Sequence, residues 1–141
     1  DEDVRKPVGG GFDIIMMRNL YKRGYIDPPQ ETPAYQQVDF GVSDESFLRA
    51  LHDSLRPGGV LVVYSLGGTY HPPGESYNAS SDIANPWGRG IWKSMGFEVV
   101  AHDASEDKEA RDVGRRLGWD EQGMDLESGL FGVYSIYRRE K

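Results

Sequence analysis

Side chains able to bind a ligand stand where the first apolar runs of this sequence end. Met17 is the last residue of one run, and Arg18 and Asn19 follow it directly. Tyr64 and Ser65 lie near the end of the next run. Arg18 could reach a carboxylate, and Asn19 could hydrogen-bond an amino or hydroxyl group, although capping a turn is an equally good interpretation of Asn19. If both runs are parallel strands, their carboxyl ends share the edge at which open α/β sheets bind ligands.

Basic and aromatic side chains also occur in the long polar segments that follow these runs. The first segment holds Lys22, Arg23 and Tyr25 in an otherwise acidic chain. This stretch would suit an anionic ligand, and a solvated loop surface is the alternative interpretation. The second segment, whose aromatic content is typical of a lid over a substrate, contributes further candidates for substrate contact: Tyr70, His71, Trp87 and Arg89.

His71 is the weak candidate for acid–base catalysis. An imidazole titrates near neutral pH and could take a proton from a nucleophile. Pro72 and Pro73 follow it directly, and a loop histidine without a catalytic role is the alternative. The other histidines, His52 and His102, are too scattered for a ligand spacing, and the chain has no cysteine. The sequence therefore predicts no metal site.

Strands are predicted wherever the apolar runs are short and rich in β-branched residues. Residues 12–17 form an apolar run broken only by Asp13, and residues 60–66 form a continuous run, as expected for strands buried on both faces of a sheet. Residues 97–102 alternate like a strand with one wetter face, and residues 130–137 form the last predicted strand.

Helices are predicted between these strands. The clearest begins after Ser43, a good N-cap, and has an apolar stripe over residues 47–55. The Pro-Gly-Gly of residues 57–59 is expected to end it. Shorter helices are predicted at 87–95 and 106–117, and strands alternating with helices are typical of an α/β fold.

Composition limits the class of protein and of partner. The chain has 141 residues, a formal net charge of −7 and a sequence pI near 4.9. An acidic surface argues against nucleic acid as a partner, because phosphate binding needs positive charge. No apolar run approaches the ~20 residues of a membrane helix, so no membrane partner is predicted and a cytoplasmic location is the default expectation.

Four segments match, in order, the pattern of a known family. Residues 12–19 (FDIIMMRN) begin as an F-D-x-[IV] strand, and residues 55–61 (LRPGGVL) have the form L-[KR]-P-G-G followed by an apolar run. Residues 96–100 (GFEVV) are a strand that opens with G-F, and residues 130–138 are the final strand. Together they resemble the fourth to seventh strands of class I S-adenosylmethionine-dependent methyltransferases, over nearly the whole chain.

The resemblance implies both a fold and an activity. The fold would be an α/β, Rossmann-like sheet of about four strands, the C-terminal half of the methyltransferase domain, with its last strand antiparallel. The activity would be methyl transfer from S-adenosylmethionine to a small molecule, with Met17, Arg18 and Asn19 at the cofactor and His71 in the catalytic role. Substrate-binding residues would be Tyr25, Tyr64, Ser65, Tyr70, Trp87 and Arg89.

The glycine-rich turn that holds the cofactor in this family is absent from the sequence. Residues 9–11 are glycines, but they precede a strand, so residues 1–11 are interpreted as a linker and 1–141 as one partial methyltransferase domain. We therefore expect a missing N-terminal half or a partner chain to supply most of the cofactor site. Half a sheet should expose an apolar edge and face, which such a segment or a homodimer would cover.

Two other functions fit parts of the same pattern. One is a non-catalytic, methyltransferase-like module that keeps the fold for protein interaction. The other is a truncated nucleotide-dependent oxidoreductase that lacks its first βαβ unit. A strand followed by G-x-G-x-G upstream of Asp1 would favour the enzyme.

Overall fold

One mixed sheet organises the chain. The computed structural model describes residues 9–70 and 77–141. The strands are β1 (Phe12–Arg18), β2 (Leu55–Gly67), β3 (Phe97–Ser105) and β4 (Phe131–Arg139), in the order β1-β2-β4-β3. β1 is parallel to β2, whereas β4 is antiparallel to both β2 and β3. The predicted α/β class, the four-stranded sheet and the antiparallel last strand are confirmed.

Short helices and turns connect these strands. The helices are α1 (Arg23–Ile26), α2 (Asp44–Ser54), α3 (Arg89–Ser94), α4 (Asp107–Arg116) and α5 (Leu126–Gly129). Two 3₁₀ turns lie at Ala34–Gln36 and Ala79–Ser81. The predicted N-cap is confirmed, because the Ser43 hydroxyl accepts a hydrogen bond from the Ser46 N–H at 3.2 Å.

The Pro-Gly-Gly segment does not end a helix, so that prediction was wrong. The helix already stops at Ser54, and β2 begins at Leu55, which pairs with Phe12 of β1. The pairing register shifts directly after this pair. Gly59 lies so close to β1 that a Cβ would stand 2.7 Å from the Phe12 carbonyl oxygen. The glycines of residues 57–59 therefore let two strands approach at an irregularity inside the sheet.

The main core lies between one face of the sheet and helices α2 and α3. Aromatic rings dominate it: Trp92 stacks on Tyr137 with ring centroids 3.8 Å apart, and Phe40 stacks on Phe47 at 3.8 Å. A second, smaller cluster joins α4 and α5 to the sheet. Within the described ranges, no helix is long and apolar enough to cross a membrane.

Tyr21 is the one buried aromatic ring of the main core whose hydroxyl finds no hydrogen-bond partner among the described residues. Burial raises its pKa strongly. We expect Tyr21→Phe to raise the free energy of unfolding by about 1 kcal/mol, because the unpaired hydroxyl no longer has to be desolvated. Urea titration measures this change. Tyr137→Phe is the contrast, because the Tyr137 hydroxyl has hydrogen-bond partners and its removal should lower the free energy of unfolding. If Tyr21→Phe lowered the free energy of unfolding as much as Tyr137→Phe does, the expectation would be contradicted.

Candidate functional site

The carboxyl ends of three strands share one edge of the sheet. β1 and β2 are parallel, and β3 has the same direction because both β2 and β3 are antiparallel to β4. At this edge β1 ends at Arg18, β2 at Gly67 and β3 at Ser105. The segments that follow β1 and β2 pack against each other there, through α1 and the turn Ala79–Ser81. Open α/β sheets bind their ligands at such an edge.

Asn19 joins the ends of β1 and β2. Its backbone N–H donates to the Tyr64 carbonyl at 2.9 Å, and its side-chain Oδ1 accepts from the Leu66 N–H at 2.7 Å. Its φ of 56° lies in the left-handed region, which asparagine tolerates better than most residues. The side-chain carbonyl of Asn19 therefore connects the end of β1 to the end of β2. Its amide NH₂ has no partner among the described residues, so a ligand bond from it stays a prediction.

Lys22 is buried at this edge, with 4% of its surface exposed. Its ammonium donates to the Leu66 carbonyl at the end of β2 and to the Ser80 carbonyl, the latter at 3.1 Å. It also lies 5.3 Å from the centroid of the Tyr25 ring. Burial lowers the pKa of this ammonium. Lys22 thus connects α1, the end of β2 and the turn Ala79–Ser81.

The same junction contains an ion pair between Arg23 and the buried Asp82. The guanidinium Nε lies 2.9 Å from the Asp82 carboxylate, of which 2% is exposed. Arg23 also donates to the Tyr70 hydroxyl at 3.1 Å, and the Tyr77 hydroxyl donates to Asp82 at 3.3 Å. Partial burial, assisted by the Asp82 charge, raises the pKa of Tyr77 to about 12. This group of four side chains is called the Arg23 cluster below.

These contacts correct one expectation from the sequence. The basic stretch was a candidate surface for an anionic ligand. In the structure the Lys22 ammonium is held by main-chain carbonyls, and the Arg23 guanidinium is held by a carboxylate and a phenol. Both cations therefore make their hydrogen bonds within the protein's own loops.

Lys22 makes the stability of the fold depend on pH. Its pKa in the folded chain lies below the usual 10.5 of an unfolded lysine. Between the two values the folded chain has released the proton and the unfolded chain has kept it, so the free energy of unfolding rises with pH. We expect this rise to be steeper in the wild type than in Lys22→Met. Urea titrations from neutral pH to pH 10.5 measure both slopes. Both proteins contain the same tyrosines, so their titration contributes equally to both slopes. Equal slopes of the free energy of unfolding against pH would therefore contradict the expectation.

The opposite face of the sheet is apolar and uncovered at β1 and β2. Ile14 is 61% exposed and Met16 is 67% exposed. Their cross-strand neighbours lie in register on the same face and are only half-buried. Part of this surface forms a cleft of about 490 Å³ with Arg18 and Glu106 at its border. We call this surface the open face, and its apolar residues are Ile14, Met16, Val62, Tyr64, Tyr134 and Ile136.

A second cleft, of about 440 Å³, lies between the segments that follow β1 and β2. We call it the loop cleft. Tyr25 of α1 and the Ala34–Gln36 turn form one side, and the turn Ala79–Ser81 forms the other. Its lining residues are Tyr25, Tyr35, Gln36, Gln37, Val38, Asn78, Ala79 and Ser80.

The predicted site residues do not share one place in the structure. Arg18 and Tyr64 are paired in the β1–β2 register and share the open face. Tyr70 binds Arg23, and Tyr25 lines the loop cleft. The structure therefore brings together two pairs of these side chains, and it does not collect them in one pocket.

Other predicted residues are placed in the core or at a helix start. Met17 and Trp87 are buried in the main core, and Ser65 is buried with no hydroxyl partner among the described residues. Arg89 is exposed and begins α3. His71 lies outside the described residues. Whether any of these side chains contacts a ligand stays a prediction.

Asp82, which pairs with Arg23 at this edge, and the buried Asn85 three residues further along the chain were not predicted from the sequence. The Asn-Pro pair of residues 85–86 is a turn signal that could have drawn attention to Asn85. Asp82 belongs to no motif, and its partner Arg23 is 59 positions away. In the described ranges no group of three or more histidine or acidic side chains could hold a metal ion.

Comparison with known proteins gives distant structural matches only. No protein-family model and no curated protein match the chain. Among solved structures, phosphoethanolamine N-methyltransferase 2 of Haemonchus contortus aligns with 92% of this chain at 12% identity, both with S-adenosyl-L-methionine (TM-score 0.49) and with phosphomonomethylethanolamine and S-adenosylhomocysteine (TM-score 0.48). This chain spans about a third of that enzyme, 34%.

Proposed function

We propose that the chain is the acceptor-side half of an S-adenosylmethionine-dependent methyltransferase that acts on a small molecule. A segment preceding Asp1 or a second polypeptide would complete the cofactor site. The observation that carries this proposal is the arrangement of the sheet. The segments that resemble consecutive family strands form one sheet, and the last of them, β4, is antiparallel as the resemblance implies.

The unpaired edge and the open face support the second part of the proposal. One side of β1 has no strand neighbour in the described sheet, although the strand is apolar along most of its length. The open face next to it exposes Ile14 and Met16. An exposed apolar edge and face favour association with further polypeptide, since burying them removes apolar surface from water.

In this proposal Arg18 would bind the cofactor. It is exposed at the end of β1, and no described residue forms a hydrogen bond or ion pair with it. A guanidinium at this position suits the carboxylate of the methionyl group of S-adenosylmethionine. When bound, S-adenosylmethionine would supply the methyl group, and this chain would hold the acceptor in line with it. Such an in-line displacement depends mainly on the positions of its reactants.

Calorimetric titration of the full-length protein with S-adenosylhomocysteine tests the proposal. We expect saturable binding, and we expect Arg18→Ala to weaken it about tenfold or more through loss of a charged hydrogen bond. Arg49→Ala is the matched control, because Arg49 is exposed on α2 and Glu45 is its one ion-pair partner among the described residues. No binding to the full-length protein would overturn the methyltransferase assignment, and equal affinities of the two variants would overturn the role of Arg18.

A further inference from the structure

Among the described residues, the lining of the loop cleft is polar and carries no charged side chain. Two tyrosines, three carboxamides and one serine contribute its polar groups. Tyr25 is half-buried, whereas Tyr35 is 85% exposed and stands at the rim. A cleft of about 440 Å³ is large enough for a ligand of one or two rings.

The cations beside the loop cleft are already satisfied by the protein. Lys22 lies against the Tyr25 ring and donates to two main-chain carbonyls. Arg23 is paired with the buried Asp82. Neither cation lines the cleft. A charged ligand in the loop cleft would find no opposite charge among the described lining residues, whereas a neutral ligand needs none.

Several hydrogen-bonding groups of the lining have no partner among the described residues. Gln37 uses its NH₂ group to bond Thr32, which leaves its Oε1 free. Asn78 uses its Oδ1 to cap the Ala79–Ser81 turn, which leaves its NH₂ free. The Tyr25 hydroxyl is also without a partner. Neutral donors and acceptors beside aromatic rings match a ring compound that carries hydroxyl groups.

We propose that the loop cleft binds an uncharged, hydroxylated ring compound. The proposal rests on the proposed function in one respect, because the bound ring would be the methyl acceptor. The loop cleft lies between the segments that follow β1 and β2, and these are the loops of the ligand-binding edge. Selection of the acceptor would come from the absence of charge in the lining as much as from contacts to the ring.

Three probes with the same phenol ring and different charges test this inference: para-cresol, para-hydroxybenzoate and tyramine. NMR titration of the full chain, without cofactor, gives the affinity and the site for each. We expect para-cresol to bind about tenfold more tightly than either charged probe, with shifts centred on the backbone amides of residues 35–38 and 78–80. Tighter binding of a charged probe, or shifts centred elsewhere, would overturn the proposal. Because no cofactor is present, neither result depends on methyl transfer.

Asn78→Asp provides a variant that changes charge with little change in shape. Aspartate keeps the Oδ1 that caps the turn and replaces the free NH₂ with a carboxylate oxygen. We expect the affinity for tyramine relative to para-cresol to rise about tenfold. Gln122→Glu adds the same charge at an exposed position outside the loop cleft and should leave this ratio unchanged. Equal ratios in the two variants would count against the loop cleft as the binding site.

Discussion

Gly24→Ala is expected to lower the free energy of unfolding by about 3 kcal/mol, because it forces two backbone segments apart. A Cβ at Gly24 would stand 2.0 Å from the carbonyl oxygen of Ala79 and 2.8 Å from its carbonyl carbon. These atoms belong to main chain, so no side-chain rotation relieves the clash. The same junction holds Lys22 and the Arg23 cluster, whose bonds depend on this close approach.

Urea unfolding followed by circular dichroism measures the effect. Gly90→Ala is the matched control, since Gly90 also lies in a short helix and a Cβ there would meet nothing within 4 Å. Alanine is the better helix former, so this control should be neutral or stabilising. A Gly24→Ala protein as stable as Gly90→Ala would show that α1 does not pack against the turn Ala79–Ser81 as described.

Asn85→Leu is expected to cost about 3 kcal/mol, because it removes the centre of a buried hydrogen-bond network. The Asn85 Oδ1 accepts from the Trp92 indole N–H and from the Trp87 backbone N–H, each at 3.1 Å. Its NH₂ donates to the Tyr137 hydroxyl at 2.9 Å, and that hydroxyl lies 2.7 Å from Nδ1 of His102. A leucine would leave the N–H groups of the Trp87 backbone and the Trp92 indole without this acceptor. The Tyr137 hydroxyl would lose one of its two partners.

A double-mutant cycle with Tyr137→Phe separates the network from simple packing. We expect the two changes to be strongly non-additive, because both remove the same hydrogen bond. Gln122→Leu makes the same replacement at an exposed position and should change stability by less than about 0.5 kcal/mol. Additive effects of Asn85→Leu and Tyr137→Phe would contradict the network.

Sequence patterning predicts the framework of this fold better than its ligand-binding edge. Apolar runs and one alternating segment locate the four strands, and Ser43 marks the start of α2, because side-chain periodicity and capping are local properties. Strand bounds differ mainly at β2, which begins at Leu55 because it pairs with Phe12 across an irregularity. That pairing is a tertiary contact, and no local pattern reports it.

The edge depends on contacts between distant positions. Lys22 and Arg23 were recognisable as a basic stretch, but their partners, Ser80 and Asp82, lie 58 and 59 positions along the chain. The burial of these cations follows from the packing of two loops, which sequence periodicity does not encode. The basic stretch therefore left an anionic ligand and a solvated loop surface as interpretations, whereas in the structure both cations bond groups inside the fold.

The central position of β4 constrains how this chain can acquire its structure during synthesis. β4 comes last in the sequence, yet it separates β2 from β3 and provides the ladder partners of both. Until it emerges from the ribosome, β2 and β3 lack their common neighbour and Tyr137 is missing from the core. The sheet therefore closes only after this last strand has been translated. A nascent chain stalled before Phe131 would leave β3 unpaired and one edge of β2 exposed, and such surfaces recruit chaperones.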